Sequence, residues 1–141
     1  MIKIQKKSFI IDKEINSIKN KYQNVGAVST FIGYVRNENN KKRVKSINLE
    51  VYKKMAIKSL GLIEKKAKKR WELIDTLIIH RFGKLKINEK IVLVATFSMH
   101  RKQSSEACDF IMDYLKKDAP FWKKEFYDEG YKWLKNIKLK N

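Results

Sequence analysis

The stretch from Ile91 to Phe97 is a near-continuous apolar run. A strand of that composition has to be covered on both faces. It is the strongest single constraint on the fold, because the rest of the chain must supply the cover.

The neighbouring segments carry patterns that can do so. Ile11, Ile15, Ile18 and Tyr22 recur at helical spacing, with Asp12 and Glu14 near the start to suit the helix dipole. Ala56, Leu60, Ile63 and Ala67 mark the buried stripe of a second helix with a lysine-rich outer face. Ala107, Ile111 and Leu115 mark a third, with Ser104 as its expected N-cap. Pro120 should stop that helix near Lys117, since the residue before a proline avoids the α region.

Strands are expected over Val25–Val35, interrupted by Gly26 and Gly33, and over Thr76–Ile79. Ser46–Tyr52 alternates, with Ile47, Leu49 and Val51 on one face and Asn48 and Glu50 on the other. Ile2–Phe9 reads as an edge strand with its hairpin, and Phe82-Gly83-Lys84 as a turn. Residues 37–43 are polar and lack apolar anchors, so they read as a mobile loop. The aromatic residues Trp122, Phe126, Tyr131 and Trp133 could pack back on the body or on a partner. Strands and helices in mixed order make this an α+β chain, and 141 residues without repeats or linkers suit a single domain over residues 1–141.

A formal charge of +18 suggests a polyanionic partner and makes a basic nucleic-acid-binding module the alternative reading. The excess is mostly lysine spread along the whole chain, where nucleic-acid binders more often concentrate it. The single cysteine, Cys108, excludes an internal disulfide framework and fits a cytoplasmic location. It lies near an apolar stripe, as an inert thiol would. His80 and His100 are too few and too isolated for a metal site. No apolar run reaches the roughly 20 residues of a membrane span, and no signal-peptide pattern follows the basic N-terminus.

The candidate chemistry lies around the third helix. His100-Arg101 follows the buried strand at a strand-to-helix junction, where a helix N-terminus attracts anions. Lys116 and Lys123 flank the proline turn, and Arg36 sits just after a strand. Together they would form a cationic pocket for a phosphorylated or carboxylated small molecule.

These residues also carry a family resemblance. Met99-His-Arg-Lys-Gln-Ser-Ser-Glu-Ala-Cys-Asp-Phe-Ile-Met-Asp-Tyr-Leu-Lys116, continued by Lys-Asp-Ala-Pro-Phe-Trp-Lys123-Lys-Glu125, resembles the signature of the molybdopterin synthase catalytic (large) subunit family. Gly26-Ala-Val-Ser-Thr-Phe-Ile-Gly-Tyr-Val-Arg36-Asn, Leu49-Glu-Val-Tyr52 and Ile79-His-Arg-Phe-Gly83-Lys-Leu match further family blocks in the same order. The resemblance covers roughly residues 8 to 134.

It implies an α/β hammerhead-type domain with a mixed, largely antiparallel sheet and an additional small β subdomain. It also implies a homodimer of large subunits within a heterotetramer. The partner is a small ubiquitin-like sulfur carrier whose C-terminal Gly-Gly ends in a thiocarboxylate. Sulfur passes to cyclic pyranopterin monophosphate and forms the dithiolene of molybdopterin, with no cofactor or metal of the enzyme's own. By resemblance, Lys116 and Lys123 are the catalytic lysines and also contact substrate. Arg36, His100, Arg101, Lys124 and Glu125 are the other substrate-binding positions. Tyr34 stands where many relatives carry a basic or small residue, so a contact at Tyr34 or Val35 is expected from the backbone.

Overall fold

The computed structural model describes residues 1–127 and 130–134. The apolar run is β7 (Lys90–Ser98), and it lies inside a four-stranded sheet. Its neighbours are β5 (Asp75–Arg81) and β2 (Ala27–Tyr34), both antiparallel to it. At the far side, β1 (Ile2–Gln5) pairs with β5 in parallel. This corrects the expected N-terminal hairpin: a parallel partner cannot be reached by a tight turn. The chain instead leaves β1 for the helix α1 (Ile11–Lys19).

Both faces of the sheet are covered, as the apolar run requires. On one face, Val92 and Val94 of β7 and Ile78 of β5 pack with Ala56 and Leu60 of α2 (Lys53–Trp71) and with Ile111 and Leu115 of α3 (Arg101–Lys117). On the other, Leu93, Ala95 and Phe97 alternate with them and pack with Leu77, Ile79, Phe9 and Ile18 beneath α1. Each such fully buried large side chain contributes about 1.5–3 kcal/mol.

The second sheet carries the order β3-β4-β8-β9, with β6 also paired to β4. These strands are β3 (Glu38–Asn39), β4 (Lys42–Val51), β6 (Gly83–Lys86), β8 (Phe121–Tyr127) and β9 (Gly130–Leu134). The result is the expected mixed α+β architecture, a largely antiparallel main sheet with a further β unit. The turn expected at Phe82-Gly83-Lys84 carries the chain directly from one sheet to the other. Gly83 sits there at φ +90°, a conformation open to glycine and costly for residues with a Cβ.

Two local expectations change. Residues 37–43 form a hairpin where a loop was expected. Asn39 pairs with Lys42 and Glu38 with Arg43, and Asn40 and Lys41 turn the chain with φ of 51° and 65°. Positive φ at both central residues matches the twist of a two-residue hairpin, and asparagine tolerates it well. The anchor is polar, which is why no apolar signal announced it.

The helix α3 starts three residues before the expected cap, with His100 at the N-cap and no side-chain cap bond. Ser104 is instead buried inside the first turn. Its Oγ donates to the Arg101 carbonyl (3.1 Å) and accepts from Ser29 Oγ (3.1 Å), and its carbonyl accepts from Thr96 Oγ1 (2.6 Å). Bonds to the sheet thus outweigh the local capping preference. The C-terminal end falls at Lys117, as Pro120 requires.

Candidate functional site

The helix α3 separates the expected site residues into two groups. His100 and Arg101 are exposed at its N-terminal end, directly after β7, and Lys116 is exposed in its last turn. At a rise of about 1.5 Å per residue, the helix puts about 22 Å between Arg101 and Lys116. One chain therefore does not gather all the cations into a single pocket, which corrects that expectation. At the N-terminal end the backbone is tightly packed. A Cβ on Gly26 would sit 2.1 Å from the Met99 carbonyl oxygen, so only glycine allows β2 to approach the segment that presents His100.

The second group surrounds the Pro120 turn and β8. Lys116 lies before the turn and Lys123 after it. Phe121 opens β8 stacked on His80, with ring centroids 3.7 Å apart. His80 is buried, and its Nδ1 lies 2.8 Å from the Arg81 carbonyl oxygen. Burial pushes its pKa down to about 4, against the opposing effect of that backbone bond, so the ring is neutral near pH 7. The stack ties β8 to the main sheet.

Alternation along β8 then sorts the lysines. Phe121, Lys123, Glu125 and Tyr127 face the body, and Trp122, Lys124 and Phe126 face outward. Lys123 Nζ is 3.5 Å from Glu125 Oε2. Glu125 is 3% exposed, and its Oε1 accepts from Asn39 Nδ2 (2.8 Å) and from the Tyr127 hydroxyl. Burial raises the Glu125 pKa, but the Asn39 and Tyr127 donors and the Lys123 ammonium outweigh it, so the net shift is downward. Burial and the adjacent carboxylate push the Tyr127 hydroxyl up to about 12.

Lys124 lies on the outer face, so adjacent lysines do not share one environment. Its Nζ stands 3.7 Å from the Tyr131 ring centroid, 5.2 Å from Trp133 and 5.3 Å from Phe126. The tail aromatics thus pack around a cation and leave Trp122, Tyr131 and Trp133 substantially exposed.

Tyr34 and Arg36 are exposed at the end of β2, and Val35 between them is buried. Val35 is fixed by its backbone, its N–H donating to the Glu89 carbonyl and its carbonyl accepting from the Asn88 N–H, both at 2.9 Å. Tyr34 and Arg36 line an open polar groove with Asn37, Glu38, Asn39 and Asn88. The hairpin that closes this groove is the one that delivers Asn39 to Glu125. Asn39 and Tyr127 were not among the expected site residues. The Asn39–Glu125 bond spans 86 positions and leaves no local pattern.

Cys108 is 5% exposed, and burial, reinforced by Asp109, pushes its thiol up to about 11. It has no activated-nucleophile character. Among the described residues, no group of three His, Cys, Asp or Glu side chains could hold a metal ion, and no helix is long and apolar enough to cross a membrane.

Comparison with known proteins bears on the family and the fold. Residues 4–118 match the family described as MoaE protein. The chain is 46% identical over 133 residues to the molybdopterin synthase catalytic subunit of Ralstonia nicotianae, covering 94% of this chain and 76% of that protein. It is 43% identical over 133 residues to the catalytic subunit of Pseudomonas aeruginosa, covering 94% and 89%. Among solved structures, the fold superposes on molybdopterin synthase from Staphylococcus aureus with a TM-score of 0.86 at 29% identity, covering 95% and 96%. For the molybdopterin biosynthesis MoaE protein of Burkholderia ambifaria the values are 0.83, 39%, 95% and 88%. The nucleic-acid alternative gains no support from any of these. With residues 4–118 matching the family model and 46% identity to a family member over 94% of its length, the chain belongs to the MoaE protein family.

Proposed function

We propose that this chain is the catalytic subunit of a molybdopterin synthase. It takes sulfur from the C-terminal thiocarboxylate of a small ubiquitin-like subunit and delivers it to cyclic pyranopterin monophosphate, forming the dithiolene of molybdopterin. The observation that carries the reading is the pair Lys116 and Lys123 on either side of the Pro120 turn, within the segment that resembles the family signature. Donor and acceptor are both anions, so bringing them together requires fixed positive charge that also stabilises charge developing during transfer.

In this reading, Lys116 acts at the reacting centre, by proton transfer or transient bonding. Its exposure leaves it accessible to an incoming C-terminal tail. Lys123 orients substrate or donor from a position fixed by Glu125. Arg36, His100 and Arg101 bind the phosphate-bearing substrate, Tyr34 and Val35 contribute backbone contacts, and Lys124 and Glu125 complete the segment. The separation of His100-Arg101 from Lys116 along α3 favours a homodimer in which one protomer supplies the first pair and its partner the second. With two small subunits bound, that dimer becomes a heterotetramer. A cytoplasmic location suits a lone reduced cysteine and a thiocarboxylate donor.

Lys116→Ala tests the assignment. Conversion of the precursor should fall by at least about 100-fold, the usual scale for losing a proton-transferring group. Binding of the small subunit, measured by calorimetry, should persist. Normal turnover by the variant would contradict the role.

A further inference from the structure

The polar cluster behind Lys123 is more elaborate than an ion pair requires. Lys123, Glu125 and Tyr127 project from the same face of β8. Both oxygens of the Glu125 carboxylate are engaged, but differently. Oε1 accepts two donors, Asn39 Nδ2 at 2.8 Å and the Tyr127 hydroxyl. Oε2 faces Lys123 Nζ at 3.5 Å. Two donors on one oxygen fix the rotation of the carboxylate plane, which decides where the other oxygen points.

Asn39 reaches this position only because the Asn40-Lys41 turn sets the hairpin register, and its own side chain is buried. A buried amide and a buried carboxylate that face each other are costly to separate, since each then lacks a partner.

We propose that Asn39 and Tyr127 are positioning residues for sulfur transfer: they clamp Oε1 of Glu125 so that Oε2 holds the Lys123 ammonium at the reacting site. The inference rests on the reading of Lys123 as a functional lysine. It adds that the 38–43 hairpin is part of the machinery, acting through Glu125 without touching substrate. The same hairpin borders the groove that contains Arg36. One element therefore adjoins Arg36 in that groove and reaches Lys123 through Glu125.

The clamp also has an electrostatic consequence. Donors to the ionised carboxylate favour ionisation, so removing one raises the Glu125 pKa. The charged or titratable groups facing it are Lys123 and Tyr127 of β8 and Lys132, its cross-strand neighbour on β9. The donor from β3 is the neutral Asn39, and β4 presents apolar Ile47.

The test compares the intact chain, bound to thiocarboxylated small subunit, with Asn39→Ala, Tyr127→Phe and Asn39→Gln. Turnover across pH is measured alongside carbon-13 NMR titration of the Glu125 carboxyl. In Asn39→Ala the carboxyl should titrate at higher pH and kcat should fall about tenfold, the scale of one lost hydrogen bond to a charged group. KM should change less, and the acidic limb of the rate profile should move to higher pH. Tyr127→Phe, which keeps its ring packing, should move both readouts in the same direction. Asn39→Gln, which retains an amide donor, should recover part of the rate.

An unchanged Glu125 titration in both Asn39→Ala and Tyr127→Phe would overturn the clamp. A shifted titration with unchanged kcat would overturn its positioning role and leave the sulfur-transfer reading standing. If the unmodified chain fails to turn over, the sulfur-transfer reading and the positioning role fall together, while the titration still decides whether the clamp exists.

Discussion

His80 offers a quantitative test of how the two sheets are joined. Its imidazole is 9% exposed, stacked on Phe121, and has a pKa near 4 in the folded chain. An unfolded histidine titrates near about 6.5. Between those values the unfolded chain binds a proton that the folded chain refuses, so stability rises with pH across the interval. The stabilisation is complete above about pH 6.5 and is lost as pH falls towards 4. The loss amounts to about 2 kcal/mol at pH 5 and about 3 kcal/mol once the pH is below both values.

His80→Phe keeps a flat ring against Phe121 and removes the titration. It also removes the bond to the Arg81 carbonyl, a loss that is the same at every pH. Urea unfolding of both proteins at pH 7 and pH 5, at one fixed protein concentration, isolates the histidine, because the other titrating groups cancel in the difference. The stability gap should shift by about 2 kcal/mol in favour of the variant on going from pH 7 to pH 5. A gap that stays constant would show that His80 is not held neutral by burial, and the argument would fail.

Two further outcomes follow from the site. Cys108 should resist a thiol reagent in the folded protein at pH 8 and react fully in urea, and Cys108→Ala should retain turnover; rapid labelling of the folded chain would contradict its buried, inert character. If two protomers share each site, Lys116→Ala and His100→Ala should each be inactive alone, whereas refolding them together in equal amounts should restore about one quarter of the wild-type rate, since half the dimers carry one intact site of two. No recovery would place His100 and Lys116 in the same protomer's site or outside it.

The layers of the main sheet were legible because they rest on periodicity. The Ile91–Phe97 run demanded two covers, and the stripes through Ile18, Leu60 and Ile111 supplied them. Pairing partners were less legible. Nothing in Ile2–Phe9 distinguishes a hairpin from a strand whose parallel partner lies more than seventy residues away in the sequence. The start of α3 was misplaced because Ser104 bonds to Ser29 and Thr96, contacts that exist only after the sheet has formed.

At the site, the family blocks single out candidate residues but not how they are grouped. The length of α3 sets His100 apart from Lys116, and strand alternation sets Lys123 apart from Lys124. The hairpin at 38–43 was hidden for a related reason: its anchor is one amide meeting one carboxylate from the far end of the chain. A hydrophobic pattern cannot record such a bond.

The most direct measurement follows sulfur itself. The purified chain is combined with thiocarboxylated small subunit and the pyranopterin precursor under single-turnover conditions. Mass spectrometry reads the small subunit's C-terminus while the pterin product is quantified. Two thiocarboxylates should be converted to carboxylates for each dithiolene formed, with no conversion when the precursor or the catalytic chain is omitted. A thiocarboxylate that survives intact beside unconverted precursor would contradict sulfur transfer by this chain.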